Sequence, residues 1–292
     1  MIIMTLEGIG ISFGDTDLLQ NVTQGIEDRD RIGVIGINGT GKSTLLAIIA
    51  GAIEPDEGKI IMRNGLKISY LPQNPVFDSK RTILENVVQN IEQDQEFWNV
   101  QGEAAAMLQK LGIEDPSVMP DTLSGGQRKR AALAAALLTP SDLLILDEPT
   151  NHLDHEMIEW LQEQLASYKG ALIMITHDRY FLDEVTTTIW EIDRANVYSY
   201  PGNYEKYLQT RQERLDFALA AERKMAALYK QDLAWIMRGA RARSTKQKAH
   251  IRRFEALRDR EKIAEKTDLS EKELEKVTDL LAYYQQLEGL EH

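Results

Sequence analysis

The sequence predicts an α/β fold, a largely parallel sheet covered by helices, with a helical appendage after it. Three observations predict it. The loop Gly36-Ile37-Asn38-Gly39-Thr40-Gly41-Lys42-Ser43-Thr44 lies between an apolar run, Arg31–Ile35, and the apolar start of a helix, Leu45–Ala50. Four apolar residues in a row, Leu143–Leu146, read as a strand buried on both faces, and Ala171–Thr176 reads as a second strand of that kind. From Tyr204 to Met237 there is no proline or glycine, so a long helix is expected.

Composition bounds the rest. The chain has 292 residues, 43% of them apolar, enough for one large domain with an appendage. The absence of cysteine excludes a disulfide frame, a thiolate metal site and a cysteine nucleophile, and it fits a cytoplasmic protein. Met1–Leu6 carries no basic region and is too short for a signal peptide, and no run of 18 apolar residues exists, so no membrane span is expected.

In chain order, residues 2–8 and 22–27 alternate as exposed or antiparallel strands do, around a turn at Ser12-Phe13-Gly14-Asp15. Phe13 is either a turn aromatic or, given the loop that follows, a platform for a purine. The loop fits G-x-x-x-x-G-K-[ST], whose glycines let backbone N–H groups approach phosphate oxygens at a helix N-terminus. Lys42 would reach the β- and γ-phosphates and Ser43 would hold Mg²⁺. Lys59–Met62 and Lys67–Leu71 read as strands joined at Asn64-Gly65, a hairpin signal. Gln73 follows the second of them. Residues 82–122 read as helices, opened by Thr82 with Glu85 three residues on.

Leu123-Ser124-Gly125-Gly126-Gln127 is a second glycine-rich turn, feeding a helix over Arg128–Leu138, and hence a second potential anion site. Asp147 and Glu148 end the buried strand. Paired carboxylates are costly there unless metal or water meets them. Asp147 is placed to hold Mg²⁺ and Glu148 to take a proton from water. His177 ends the next strand, placed for a γ-phosphate. The core closes with strands over Thr187–Asp193 and Asn196–Tyr200.

After Pro201-Gly202-Asn203 the character changes. The long helix from Tyr204 would measure ~50 Å, and a second helical stretch runs from about Ser244 to Lys262. Net charge is −12, but residues 235–262 alone carry +7, leaving −19 elsewhere. Arg238, Arg241, Arg243, Lys246, Lys248, Arg252 and Arg253 lie there with Trp235 and Phe254. A basic helical face is often only a solvated surface. In an otherwise acidic chain, bases gathered on one projection point to RNA. Residues 270–288 read as an acidic helix, and Leu290-Glu291-His292 looks like the start of a purification tag.

The ordered set, phosphate loop, Gln73, Leu-Ser-Gly-Gly-Gln, Asp147-Glu148, Asp154 and His177, closely resembles an ATP-binding cassette domain over residues 1–200. That resemblance implies the fold of P-loop nucleoside triphosphatases of the cassette type: a mixed sheet core, an antiparallel β subdomain and an α-helical subdomain at about 80–138. It implies Phe13 stacked on adenine, Gln73 touching Mg²⁺ or the attacking water, and His177 positioning the γ-phosphate. It implies Ser124, Gly125, Gly126 and Gln127 on ATP held by an opposing cassette, with Asp154 in the loop that meets that partner. The Pro-Gly-Asn-Tyr204 stretch and Trp235–Lys246 are similar to the F family of cassette ATPases, soluble proteins with two cassettes joined by a helical linker that enters the ribosome near the peptidyl-tRNA. Here 201–267 would be that basic α-helical hairpin linker and 268–292 a C-terminal helix, with one cassette present. Expected cofactors are ATP and Mg²⁺. Expected partners are the ribosome, through rRNA or tRNA, and a second cassette. The rival readings are the ATPase subunit of a membrane transporter and a ribosome-binding module that holds nucleotide without turnover.

Overall fold

Two long antiparallel strands, β1 (Ile2–Phe13) and β2 (Thr16–Glu27), open the chain in the computed structural model, which describes residues 1–14, 16–89, 91 and 100–237. They extend further than the alternation over 2–8 and 22–27 predicts, so Phe13 ends a strand instead of lying in a turn. Register shifts between them supply the local twist that lets so long a ribbon curl over the core. Next come β3 (Arg31–Gly36), α1 (Lys42–Ile49), β4 (Glu57–Met62) and β5 (Ile68–Leu71).

The hairpin expected at Asn64-Gly65 is not there. The strand β4 pairs with β1 in a three-stranded sheet of order β2-β1-β4, while β5 joins the main sheet. The sequence signal was a turn of the right chemistry. Ile68 to Leu71 instead find a buried parallel partner, which covers more apolar surface than an exposed ribbon would.

A helical layer follows: α2 (Ile83–Val88), α3 (Val100–Lys110), a short 3₁₀ turn at Pro120–Thr122, and α4 (Gly125–Leu138). The Thr82–Glu85 capping box forms as its spacing predicts. Then β6 (Leu143–Asp147), α5 (His155–Ser167), β7 (Ala171–Ile175), α6 (Arg179–Val185), β8 (Thr188–Asp193), β9 (Asn196–Pro201) and α7 (Tyr204–Met237) complete the described elements. The main sheet runs β5-β6-β7-β3-β8-β9, parallel except for the β8–β9 pair.

The continuous apolar runs have a direct cause. In β6, Leu143 and Ile145 enter the core under β1 and β2, while Leu144 and Leu146 enter the core under the helical layer. Ala171, Ile173 and Ile175 of β7 face the first core, and Leu172 and Met174 the second. A period of two with apolar residues on both faces leaves no room for a polar position.

The chain divides into two compact units, Met1–Leu208 and Gln209–His292. Of the second, the described part is the helical continuation of α7 to Met237, in which Glu222 and Ala226 are buried. The basic residues Arg238, Arg241, Arg243, Lys246, Lys248, Arg252 and Arg253, and the acidic helix expected at 270–288, lie outside the described residues.

Ile173, wholly buried at the centre of the sheet, gives the core a direct test. Ile173→Ala should lower unfolding free energy by about 2–5 kcal/mol in a urea titration, through lost transfer energy and the cavity left behind. An unchanged midpoint would mean that the two cores are not packed as described.

Candidate nucleotide-binding and catalytic site

The phosphate loop leaves β3 and enters α1 with Gly41 as the N-cap, in a left-handed conformation (φ 94°, ψ 14°) that glycine adopts without strain. Gly39 is also left-handed, at φ 87°. The loop therefore curls on itself and directs its amides toward one point. The ammonium of Lys42 donates to the carbonyls of Gly36 at 2.8 Å and Ile37 at 2.9 Å, and the residue is only 9% exposed. Burial lowers its pKa, while the carboxylates of Glu148 and Asp147 act to raise it.

Parallel register brings the acids to that point. Val34 pairs with Ile175, and Asp147 pairs with the same Ile175 from the other side, so the ends of β3, β7 and β6 lie in one row. Both carboxyl oxygens of Asp147 are buried without a hydrogen-bond partner. Burial pushes its pKa up, and the Ser43 hydroxyl, Lys129 and Lys42 pull it down. Glu148 is 5% exposed and sits at φ 53°, a left-handed conformation uncommon for a residue with a side chain. Its amide donates to Ile175 O at 2.9 Å, which holds that turn. Its Oε1 lies 3.3 Å from Nε2 of His177, and its Oε2 is buried without a partner. Burial raises the Glu148 pKa first, and the His177 ring opposes that rise. Thr150 and Thr176 share a buried hydroxyl contact at 2.8 Å, tying the loops after β6 and β7 together.

Lys42, Ser43, Asp147, Glu148 and His177 are thus brought together. Gln73 is exposed, two residues beyond Leu71, whose strand pairs with β6 at Leu146. That pairing puts it past the same edge of the sheet. Phe13 is 65% exposed at the tip of β1. Ser124, Gly125, Gly126 and Gln127 lie at the start of α4, which packs on α2, α3 and β5, with Gly126 against His152 of the loop after β6. The helix begins at Gly125, earlier than the Arg128 expected, because Ser124 and Gln127 cap each other's amides. The Asp154 side chain caps α5 through the Met157 amide at 2.9 Å.

The residues present fit a divalent cation. Two orphaned carboxyl oxygens beside a serine hydroxyl suit Mg²⁺, which takes one or two protein oxygens and fills the rest with phosphate and water. Sequence reasoning missed Lys129. It is 7% exposed in α4, and its charge acts on both Asp147 and Glu148. No sequence signal marks it, since a lysine in a helix is ordinary until its burial is known.

Comparison with known proteins follows the same line. Residues 19–151 match a family described as ABC transporter, and residues 190–277 match a second family of the same description. The chain is 41% identical, over 89% of its length, to an uncharacterized ABC transporter ATP-binding protein of Bacillus subtilis, YfmR, of which it covers 47%. It is 34% identical to the energy-dependent translational throttle protein EttA of Mycobacterium tuberculosis, over 92% of this chain and 54% of that protein. It is 32% identical to the ATP-binding protein Uup of Escherichia coli, over 88% of this chain and 46% of that protein. It therefore spans about half the length of the curated relatives it matches. Among solved structures, the ATP binding subunit of an ABC transporter superposes with a TM-score of 0.60 at 22% identity, over 68% of this chain and 90% of that one. A dimeric cassette in a post-hydrolysis state with ADP and phosphate superposes with a TM-score of 0.58 at 23% identity, over 68% and 98%.

The raised pKa of Asp147 makes a signed prediction. An acid whose folded pKa lies above its unfolded one destabilises the fold once ionised; that cost shrinks as pH falls below the folded value and is gone below the unfolded one. With nucleotide absent and EDTA present, Asp147→Asn should melt higher than wild type at neutral pH. The gap should close on acidification toward the carboxylate range. A gap that is absent or widens in acid would contradict the burial cost.

Proposed function

This chain carries the ATP-binding domain of the ABC transporter family, and on that premise we propose that it is a Mg²⁺-dependent ATPase of the F-family kind, a nucleotide switch that acts on the ribosome. The observation that carries the ATPase reading is the convergence of the Gly36–Thr44 loop with Asp147, Glu148 and His177 at one edge of the sheet.

Loop amides and the Lys42 ammonium bind the β- and γ-phosphates. Lys42 is already drawn in by two loop carbonyls, so phosphate oxygens exchange for those partners at little cost in ordering. Ser43 and Asp147 would hold Mg²⁺, which supplies neutralisation of the phosphate charge that builds as the bond to the leaving group lengthens. The γ-phosphate end faces Glu148. One of its carboxyl oxygens is steadied by His177, and the other has no partner until a water arrives. Burial makes the carboxylate a stronger base than one in water, and its proton acceptance from the attacking water is worth ~10²–10⁴ in rate.

The glycine-rich turn Ser124–Gln127 opens α4, and its likeness to the cassette motif Leu-Ser-Gly-Gly-Gln supports a role on ATP held by another cassette. The capping box engages the amides of Ser124 and Gln127, and the amides of Gly125 and Gly126 between them are the ones that would meet a phosphate. A second copy or the second cassette of a longer protein would complete the site. The translational role draws on the name of one relative, a translational throttle, and on the basic residues from Arg238 to Arg253. The transporter reading draws on the family description and on the fold. No helix among the described residues is long and apolar enough to cross a membrane.

Glu148→Gln tests the chemistry. ATP should still bind while phosphate release falls by ~10²–10⁴; full turnover would remove Glu148 from the mechanism. Charge reversal at Arg241 and Arg243 tests the partner. Arg241→Glu with Arg243→Glu should weaken co-sedimentation with ribosomes and flatten its dependence on salt. Sedimentation equal to wild type, or fractionation with membranes instead, would favour the transporter reading.

A further inference from the structure

The first turns of α7 are fastened to a buried carboxyl. Glu191, in β8, is 4% exposed. Tyr200 in β9 donates its hydroxyl to Oε2 of Glu191 at 2.9 Å, and Tyr207 in α7 donates to Oε1 at 2.9 Å. The two tyrosine rings meet edge to face, 5.1 Å between centroids, and form a small core with Ile189. Ile35 and Tyr204 pack on that core.

Glu191 is also next to the phosphate loop. It pairs with Ile35 across β3 and β8, and the following pair joins Ile192 to Gly36, the loop's first residue. A side chain at Gly36 would stand 2.8 Å from the Ile192 carbonyl, so the two backbones touch there. A second line reaches the same turns. The helix α6 begins directly after His177 and its cap Asp178, and Asp183 within it accepts the Glu205 amide at 3.0 Å. Asn203 accepts the amides of Lys206 and Tyr207 with its side chain and carbonyl respectively. Two nucleotide-facing elements, the loop with β8 and His177 with α6, therefore converge on Tyr204–Leu208.

We propose that Glu191 is a positioning residue that couples occupancy of the phosphate loop to the first turns of α7, through its hydrogen bond from Tyr207. This rests on the reading of Gly36–Thr44 as the ATP site. A buried carboxyl that loses a hydroxyl donor gains no water in exchange, so the bond follows the strand instead of breaking. When phosphates fill the loop and draw its amides toward them, Gly36 moves with its paired Ile192, and β8 carries Glu191 and Tyr207 with it. Binding linkage is reciprocal, so whatever restrains α7 changes ATP affinity by the same factor.

The test is amide hydrogen exchange over residues 204–215, with Mg²⁺ alone and with Mg²⁺ plus a non-hydrolysable ATP analogue. Binding of the analogue is measured in parallel. In wild type, the analogue should change exchange severalfold in this segment. Tyr207→Phe keeps the ring and its packing; it should bind the analogue yet lose the change. Tyr200→Phe leaves the Tyr207 bond intact and should keep it. Failure of wild type to bind the analogue would sink the ATPase reading itself. Binding with no change over 204–215 would overturn the coupling alone. A change that survives Tyr207→Phe, or that disappears equally in both variants, would overturn the role given to the Tyr207–Glu191 bond.

Discussion

Parallel pairing of β6, β7 and β3 is the constraint on which the rest depends. Parallel strands share a direction, so their C-terminal ends share an edge. One edge then collects whatever each strand delivers: a glycine loop from β3, two acids from β6, a threonine and a histidine from β7. None of these is close to the others in sequence. Their meeting follows from register, and register follows from burying apolar residues on both faces.

The same constraint sets the site's electrostatics. Burying two adjacent carboxylates is unfavourable, and their raised pKa values record it. Lys42 and Lys129 partly offset that cost from two different elements. What remains uncompensated is an attraction for a divalent cation and for a water proton. The site is thus destabilised as a fold in proportion to its readiness as a binding surface. Glu148 shows this in its backbone as well, left-handed where its N–H donates a hydrogen bond to the Ile175 carbonyl of β7.

Much of this was legible in the residues. The phosphate loop announces itself by spacing, and the unbroken apolar runs before Asp147 and His177 announce a parallel sheet. The Thr82–Glu85 box announced α2. Other features were hidden for physical reasons. Asn64-Gly65 carries hairpin chemistry, but a turn's chemistry is local and says nothing of which sheet each flanking strand joins. The start of α4 was placed three residues late because glycines read as loop; the reciprocal Ser124–Gln127 cap outweighs their low helix propensity. Lys129 and Glu191 could not be assigned from sequence, since a lysine in a helix and a glutamate in a strand are ordinary until burial shows what each one faces.

Between Met62 and Ile68 the chain passes from one sheet to the other without a hydrogen-bond ladder joining β4 to β5. What stitches the crossing is Asp142: it accepts the Lys67 amide at 3.0 Å, donates its own amide to Lys67 O at 2.8 Å, and meets the Arg63 guanidinium at 3.1 Å. A protease nick at Asn64-Gly65 would therefore sever the polypeptide without unzipping either sheet, leaving two fragments that stay clasped. New termini could be opened at that spot, or foreign sequence spliced into it, while the edge that gathers the phosphate loop and the acids stays as it is.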